Sequence, residues 1–373
     1  MSASKTKWVR LGDYIERSMI NNSDLKYGAE LIEGVNSSGV FCTSKANTID
    51  INLKPYKIVN NGDFVYNPSR LDIGSIAYRT QGMCIVSHLY VVFHLNEIGK
   101  KHFIPEFLFL YFKRKEFLRQ VTFLNIGSQR PEFNFFQMSD IMVPLPPIEV
   151  QRELVDTYKG LEALAEQNEA LIEPLSKACE AFMYDCIRKY KFERLENFLD
   201  LSEEKNREYN YQIDSLRGVT NEGKFDKSKA NVLGLDLSNY RVVYKGDFAY
   251  NPARINIGSI ALNNETTFII SPMYCVFRIK KEKNDILLSE FLLLWFMRKE
   301  FQRSTLFYAT GSVRDIFDYN LMCDYKIPLP PIEVQQSIVN LYHCMEEAKK
   351  IASEAREKLK EICPALIQKA IHQ

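Results

Sequence analysis

The sequence predicts an α+β chain in which two tandem-repeated α/β domains are separated by two long antiparallel coiled-coil helices, with pseudo-two-fold symmetry. Three observations predict it. The 373 residues match themselves at a constant offset of 184 residues. A proline-rich run occurs at the same place in both copies, as VPLPPIEVQRE over Val143–Glu153 and IPLPPIEVQQS over Ile327–Ser337. Each run is followed by a long stretch with apolar residues at three- and four-residue steps between charged ones, the pattern of a helix with a seam for a partner helix.

A fixed-period self-match outranks other signals because it sets the architecture. The strongest block is Gly62–Ala77 over Gly246–Ala261, identical at twelve of sixteen positions. Ser87 and Tyr90 lie over Ser271 and Tyr274, Arg114–Phe117 over Arg298–Phe301, and Gly127-Ser128 with Arg130 over Gly311-Ser312 with Arg314. The boundaries follow: a first α/β domain over 1–147, a central helix over 148–190, a second domain over 191–331 and a C-terminal helix over 332–373. Positions shared by the copies should serve tasks that both perform. The divergent stretches 18–33, 48–58, 78–86 and 129–136 should carry what distinguishes them.

Taken in order, Trp8–Glu16 is expected to open the chain as a short helix. Asn- and Gly-rich turn signals punctuate residues 20–61. Phe64–Tyr66, Ile73–Tyr78 and Cys84–Leu95, rich in Ile, Val, Phe and Tyr, read as strands. Ile104–Val121 reads as one helix on the spacing of Phe107, Leu108, Tyr111, Phe112 and Leu118. The PLPP run must be extended, because proline fixes φ and disfavours helix in the residue before it. Pro-Ile-Glu-Val-Gln then starts a helix, with Pro at its first position and Glu in its first turn. The central seam reads as Leu154, Tyr158, Leu161, Leu164, Leu171, Leu175, Ala178 and Phe182, with Pro174 bending or breaking the helix. The C-terminal helix shows Ile338, Tyr342, Met345, Ala352, Ala355, Leu359, Ile362 and Leu366. Two heads held apart by a helix pair form a ruler, suited to a long ligand with two features at a set spacing, of which duplex DNA is the obvious example.

Composition narrows the function classes. An apolar fraction of 46% with 12% aromatics supports packed cores. The net charge of +1 means that any basic surface is local or is completed by a partner. Eight cysteines without a C-x-x-C pair and five histidines without ligand spacing argue against zinc and against a disulfide framework. No apolar run approaches about 18 residues and no signal peptide is seen, so no membrane association and a cytoplasmic location are expected. There is no Walker A run, no H-E-x-x-H and no clustered acidic nuclease motif. Asn67-Pro68-Ser69-Arg70 lacks the second proline and the aromatic of the amino-methyltransferase motif, and no Gly-rich cofactor loop precedes it. No catalytic and no metal-ligating residue is assigned.

Candidate DNA-binding residues come from the shared blocks. They are Tyr66, Asn67, Arg70 and Ser75 with their counterparts Tyr250, Asn251, Arg254 and Ser259, together with Ser128, Gln129, Arg130, Ser312 and Arg314 from the Gly-Ser loops. Arg70 and Arg254 fit a phosphate contact or a bidentate fork on guanine. They equally fit an ion pair with a neighbour such as Asp72. The basic runs Lys113-Arg114-Lys115 and Arg298-Lys299 read as solvated helix faces. Candidate partner-docking residues are Pro146, Pro147 and Gln151, with Pro330, Pro331 and Gln335.

The P-L-P-P-x-x-x-Q element at 144–151 and 328–335, the Tyr-Asn-Pro-x-Arg…Ile-Gly-Ser blocks and the Gly-Ser-x-Arg blocks together resemble the specificity (S) subunit of Type I restriction-modification systems, over essentially the whole chain. The resemblance implies that the heads are target recognition domains, each reading half of a bipartite asymmetric site in double-stranded DNA. It implies spacer helices that set the unread gap and dock two methyltransferase (M) subunits, which then recruit restriction (R) subunits. The chain itself would be non-catalytic and bind no cofactor, with S-adenosylmethionine, ATP and Mg on the partners. The specificity subunit of a related (Type IIB/IIG-like) system fits the same residues, because the difference lies in the partner.

Overall fold

The computed structural model describes residues 6–43, 51–124, 132–228, 234, 236–309 and 316–372, with side chains up to residue 360 apart from that of Ala309. The chain divides into two compact units, one of residues 1–167 with 351–373 and one of residues 168–350. The first repeat runs β1 (Lys7–Arg10), β2 (Ile15–Arg17), β3 (Glu33–Val35), β4 (Phe41–Thr43), β5 (Lys57–Val59), β6 (Phe64–Tyr66), β7 (Ile76–Tyr78), β8 (Cys84–Val86), β9 (Val91–Leu95), α1 (Gly99–His102), α2 (Pro105–Phe112), α3 (Lys115–Leu124), α4 (Phe135–Asp140), β10 (Met142–Leu145) and α5 (Ile148–Lys189). The second runs β11 (Phe192–Arg194), β12 (Leu199–Ser202), β13 (Leu216–Val219), β14 (Phe225–Lys227), β15 (Arg241–Val243), β16 (Phe248–Tyr250), β17 (Ile260–Leu262), β18 (Phe268–Ile270), β19 (Cys275–Ile279), α6 (Ser289–Met297), α7 (Lys299–Ala309), α8 (Tyr319–Asp324), β20 (Lys326–Pro328) and α9 (Ile332–His372).

Each head is built on a four-stranded antiparallel sheet, β2-β9-β6-β7 in the first and β12-β19-β16-β17 in the second. The alternation of side chains along β6 explains the layering. Phe64 and Tyr66 point into a core shared with Phe93, Phe107, Phe112 and Phe117. Val65 points to the other face, where Val35, Val59, Cys84, Val86 and Val92 close a second core beneath the smaller sheets. The aromatic geometry repeats: Phe64 stacks on Phe93 at 5.0 Å and 9°, and Phe248 on Phe277 at 4.9 Å and 2°. Phe112 and Phe296 meet these stacks edge-on, a favourable ring geometry.

Several sequence expectations are corrected. Trp8–Glu16 is not a helix: β1 pairs with β10 across more than a hundred residues, a partner no local pattern can announce. Ile73 ends a short 3-10 turn over Leu71–Ile73, and left-handed Gly74 separates it from β7. Ile104–Val121 breaks into α2 and α3, which lets Phe112 and Phe117 meet at 5.0 Å. Arg114 at this break is mostly buried, lying over Tyr111 and paired with Glu116 at 3.3 Å. Arg298 does the same over Trp295 and with Glu300 at 3.4 Å. These shared arginines fasten a helix corner instead of facing water.

Helix α5 continues through Pro174. The carbonyl freed four residues earlier belongs to exposed Ala170, a position open to solvent that can take the place of the lost bond. The seam of α5 differs from its expected course. Leu154, Ala165, Met183 and Cys186 are buried, with Tyr158, Leu161, Asn168, Ile172, Leu175 and Cys179 half-buried between them. These steps of three and four residues follow the 3.5-residue repeat of a coiled-coil seam. Leu164, Leu171 and Phe182 are instead 42%, 51% and 52% exposed. In α9, Ile338, Met345, Ala352 and Ala355 are buried and Tyr342 and Leu359 half-buried, as expected, whereas the side chains of Ile362 and Leu366 lie outside the described residues. Within the second unit the helices run antiparallel. Met183 and Cys186 share a core with Ile338 and Val339, while Cys179, earlier in α5, lies within electrostatic range of Tyr342 and Cys344, later in α9.

Candidate nucleic-acid interface

The shared Tyr-Asn-Pro-x-Arg segment is a tight turn that displays its arginine. Asn67 Oδ1 accepts from the Ser69 amide at 3.0 Å, and the Arg70 amide donates to Asn67 O at 3.0 Å. The ends are stitched by Asn67 N to Ser75 O at 3.0 Å and Ser75 N to Arg70 O at 3.1 Å. Asn251, Arg254 and Ser259 repeat the pattern, with Asn251 Oδ1 accepting from Ala253 N at 3.0 Å. Both asparagines therefore act as turn formers. Pro68 O and Pro252 O accept from Phe133 N and Phe317 N at 2.9 and 3.0 Å, tying the start of the α4 and α8 regions to the turn.

A β-hairpin is clamped beside each turn. Ser75 Oγ donates to Val35 O at 2.9 Å, and the Val35 amide donates to Tyr90 Oη at 3.3 Å. Ser259 and Tyr274 hold Val219 in the same way at 3.4 and 3.5 Å. Gly74, at φ +95°, allows the contact: a Cβ there would fall 2.5 Å from Ser37 O. The Ile-Gly-Ser block is thus the clamp that brings the β3–β4 hairpin against the turn. Sequence reading did not assign Tyr90 and Tyr274 this part, although their repeat match was a usable signal.

These placements sort the candidate residues. Tyr66 and Tyr250 are fully buried core residues, and burial pushes both phenols up. Ser75 and Ser259 are 1% exposed, their hydroxyls directed at the hairpin. Asn251 is buried and Asn67 half-buried. Arg70 and Arg254 are exposed, and among the described residues neither guanidinium has a hydrogen-bond or ion-pair partner; Asp72 does not pair with Arg70. Arg70 lines an open cavity of about 370 Å³ together with Asn36, Cys42, Thr43, Ile73 and Tyr90. Ser128, Gln129, Arg130, Ser312 and Arg314 lie outside the described residues. A free guanidinium beside an exposed hairpin can contact phosphate or a base edge.

The P-L-P-P-x-x-x-Q element joins each head to its helix. Gln151 is fully buried. Its Oε1 accepts from Ile104 N at 2.9 Å, and its Nε2 donates to His102 O at 2.8 Å and Pro146 O at 2.9 Å. Gln335 makes the same three bonds to Leu288 N, Ile286 O and Pro330 O at 2.9, 2.8 and 2.8 Å. Neither glutamine presents surface to a partner, and Pro146 and Pro330 are buried as well. Only Pro147 and Pro331 of the six candidate docking residues are exposed. A second tether runs from Lys159 Nζ to Glu106 at 2.7 Å, matched by His343 Nε2 and Glu290 at 3.3 Å.

The chain matches the family model of the Type I restriction modification DNA specificity domain twice, over residues 5–176 and 193–362. Among curated proteins none matches significantly. Solved structures are similar over nearly the whole chain. The S subunit of a Type I restriction-modification system from M. genitalium is 11% identical, with 98% of this chain and 96% of that chain covered and a TM-score of 0.56. The HsdS subunit from Thermoanaerobacter tengcongensis is 19% identical, with 99% and 97% covered and a TM-score of 0.44. A chain from a type I R-M system, described for its complex assembly and conformational transition, is 18% identical, with 99% and 98% covered and a TM-score of 0.38. No helix among the described residues is long and apolar enough to cross a membrane. Two specificity-domain matches, one on each head with most of its following helix, establish that the chain belongs to the Type I restriction modification DNA specificity domain family.

Proposed function

We propose that this chain is the non-catalytic recognition subunit of a Type I restriction-modification complex, each head reading one half of a bipartite asymmetric target in the major groove of double-stranded DNA. The observation that carries this reading is the doubled specificity domain with an exposed arginine at the same place in both heads, unpartnered among the described residues. Helices α5 and α9 set the unread gap and dock two methyltransferase subunits. Exposed Pro147 and Glu149, with Pro331 and Glu333, are the members of the shared element that a partner can reach. S-adenosylmethionine belongs to the methyltransferase partners, and ATP and Mg to the restriction subunits. A cytoplasmic location follows from those partners and substrates.

A map of N6-methyladenine in the host genome, with and without the gene, tests the reading. Loss of the mark at one split motif of two unequal halves is the expected result. A map that does not change overturns it. Arg70→Ala and Arg254→Ala are each expected to weaken DNA binding by about 1–3 kcal/mol for a base contact, or to lower the salt slope by about 1 for a phosphate contact. Thermal stability should stay unchanged; lowered stability with full affinity would reassign the arginines to the fold.

The gap offers an independent measurement. One heptad inserted into both α5 and α9 preserves the seam repeat and adds about 10 Å of helix. At 3.4 Å per base step, the methylated motif should gain roughly three unread base pairs while both halves stay the same. A changed half-target would contradict the ruler.

A further inference from the structure

The clamp described above poses a question about the hairpin it holds. Position by position, β3–β4 and β13–β14 keep their inner residues and change their outer ones. Gly34, Val35, Gly39 and Phe41 are matched by Gly218, Val219, Gly223 and Phe225. Val35 is buried in the second core, with Phe41 packed against it. Phe225 packs on Phe268 at 4.6 Å in the equivalent core of the other head. The outer positions differ in chemistry: Ser38, Val40, Cys42 and Thr43 are uncharged, while Glu222, Lys224, Asp226 and Lys227 alternate in charge. All eight are exposed. The strand β14 is the edge of its sheet, and β4 ends a two-stranded sheet of its own.

The position of these residues relative to the arginine is also fixed. Cys42, Thr43 and Arg70 line one cavity in the first head. In the second, Ser259 and Tyr274 hold β13 against the turn of Arg254 as Ser75 and Tyr90 hold β3. A two-stranded ribbon fits the major groove, and its outward side chains reach base edges while flanking cations hold phosphate. Side chains that vary on a frame that does not are where two heads with one fold can differ in what they read.

We propose that the edge strands β4 and β14 are base-reading elements, with Cys42-Thr43 addressing one half-target and Asp226-Lys227 the other, beside the shared anchors Arg70 and Arg254. This rests on the DNA-recognition reading given above. It places sequence choice at positions outside the longest divergent stretches of the repeat. Asp226 accepts from the exocyclic amine of cytosine or adenine, and Lys227 donates to the O6 and N7 of guanine. Thr43 offers a methyl group and a hydroxyl, suited to thymine.

The test transplants one pair into the other head of the full-length chain, in cells that carry its methyltransferase partners. Asp226→Cys with Lys227→Thr is expected to relax or change one half of the methylated motif and to leave the other half as it was. Lys227→Gln, a single exposed replacement, guards against a double variant that fails to fold. It should lower discrimination at one base pair of that half by about 5- to 150-fold. A wild-type motif that both variants reproduce overturns the hairpin assignment alone. A wild-type chain that directs no split motif overturns the recognition reading, and this inference with it.

Discussion

Gln151→Leu is expected to destabilise the first unit by about 3–5 kcal/mol, and Gln335→Leu to do the same to the second. Leucine nearly matches glutamine in size, so the replacement leaves little cavity and isolates the polar effect. It strands the Ile104 amide and the carbonyls of His102 and Pro146 around a fully buried side chain, the bond to Pro146 being the most enclosed. Each buried group left without a partner costs about 1–3 kcal/mol. For a unit of this size the loss corresponds to a fall of roughly 10 °C in its melting temperature. Calorimetry of the full chain should show one transition moving in Gln151→Leu and the other in Gln335→Leu. Wild-type melting in both variants would show that the head–helix junction holds without these bonds. The glutamine amide and the backbone atoms it bonds carry no charge, so these bonds themselves do not depend on pH.

Replacement of Gly74 carries the second large effect, and Gly62 supplies the comparison. Both glycines are left-handed, at φ +95° and +92°, so alanine at either site meets a backbone penalty of about 1–2 kcal/mol. At Gly62 a Cβ has no neighbour within 4 Å, whereas at Gly74 it falls 2.5 Å from Ser37 O. Gly74→Ala must therefore also displace the β3–β4 hairpin or the turn that ends at Arg70. A total loss of about 3 kcal/mol or more is expected, against about 1 kcal/mol for Gly62→Ala. Denaturant unfolding of the two variants measures the difference directly. Because the displaced hairpin borders Arg70, Gly74→Ala should also weaken DNA binding while Gly62→Ala leaves it intact. Equal stabilities would mean that Ser37 yields without strain.

Much of this architecture was written in local patterns. The 184-residue self-match announces two heads and two helices, because a duplicated sequence folds twice in the same way. Proline geometry places the extended run and the helix start that follows. What the sequence hid was decided by distant partners. Trp8, Leu11 and Ile15 have helix-like spacing, yet β10 claims β1 as a strand. The seam of α5 was followed through Leu164 and Leu171 because they are large. It passes through Ala165 and Asn168, whose small or polar side chains carry no signal of burial. At the candidate interface, the shared block marks one turn in each head, but sharing does not distinguish display from support. Arg70 is displayed, while Tyr66, Ser75 and Gln151 support from the interior. Ser128, Gln129, Arg130, Ser312 and Arg314 fall outside the described residues, so their part rests on sequence.

The two glutamine junctions have a consequence for how such a chain changes over generations. Each partner of Gln151 and Gln335 is a backbone atom: one amide and two carbonyls. Backbone atoms are the same whichever residue supplies them, apart from proline's missing amide. Mutation can therefore rewrite the outer surface of a head, one side chain at a time, and the socket that receives the helix stays intact. Along these bonds a change on the outer surface of a head requires no compensating change in the helix, whereas the Lys159–Glu106 and His343–Glu290 pairs remain side-chain ties that link the two.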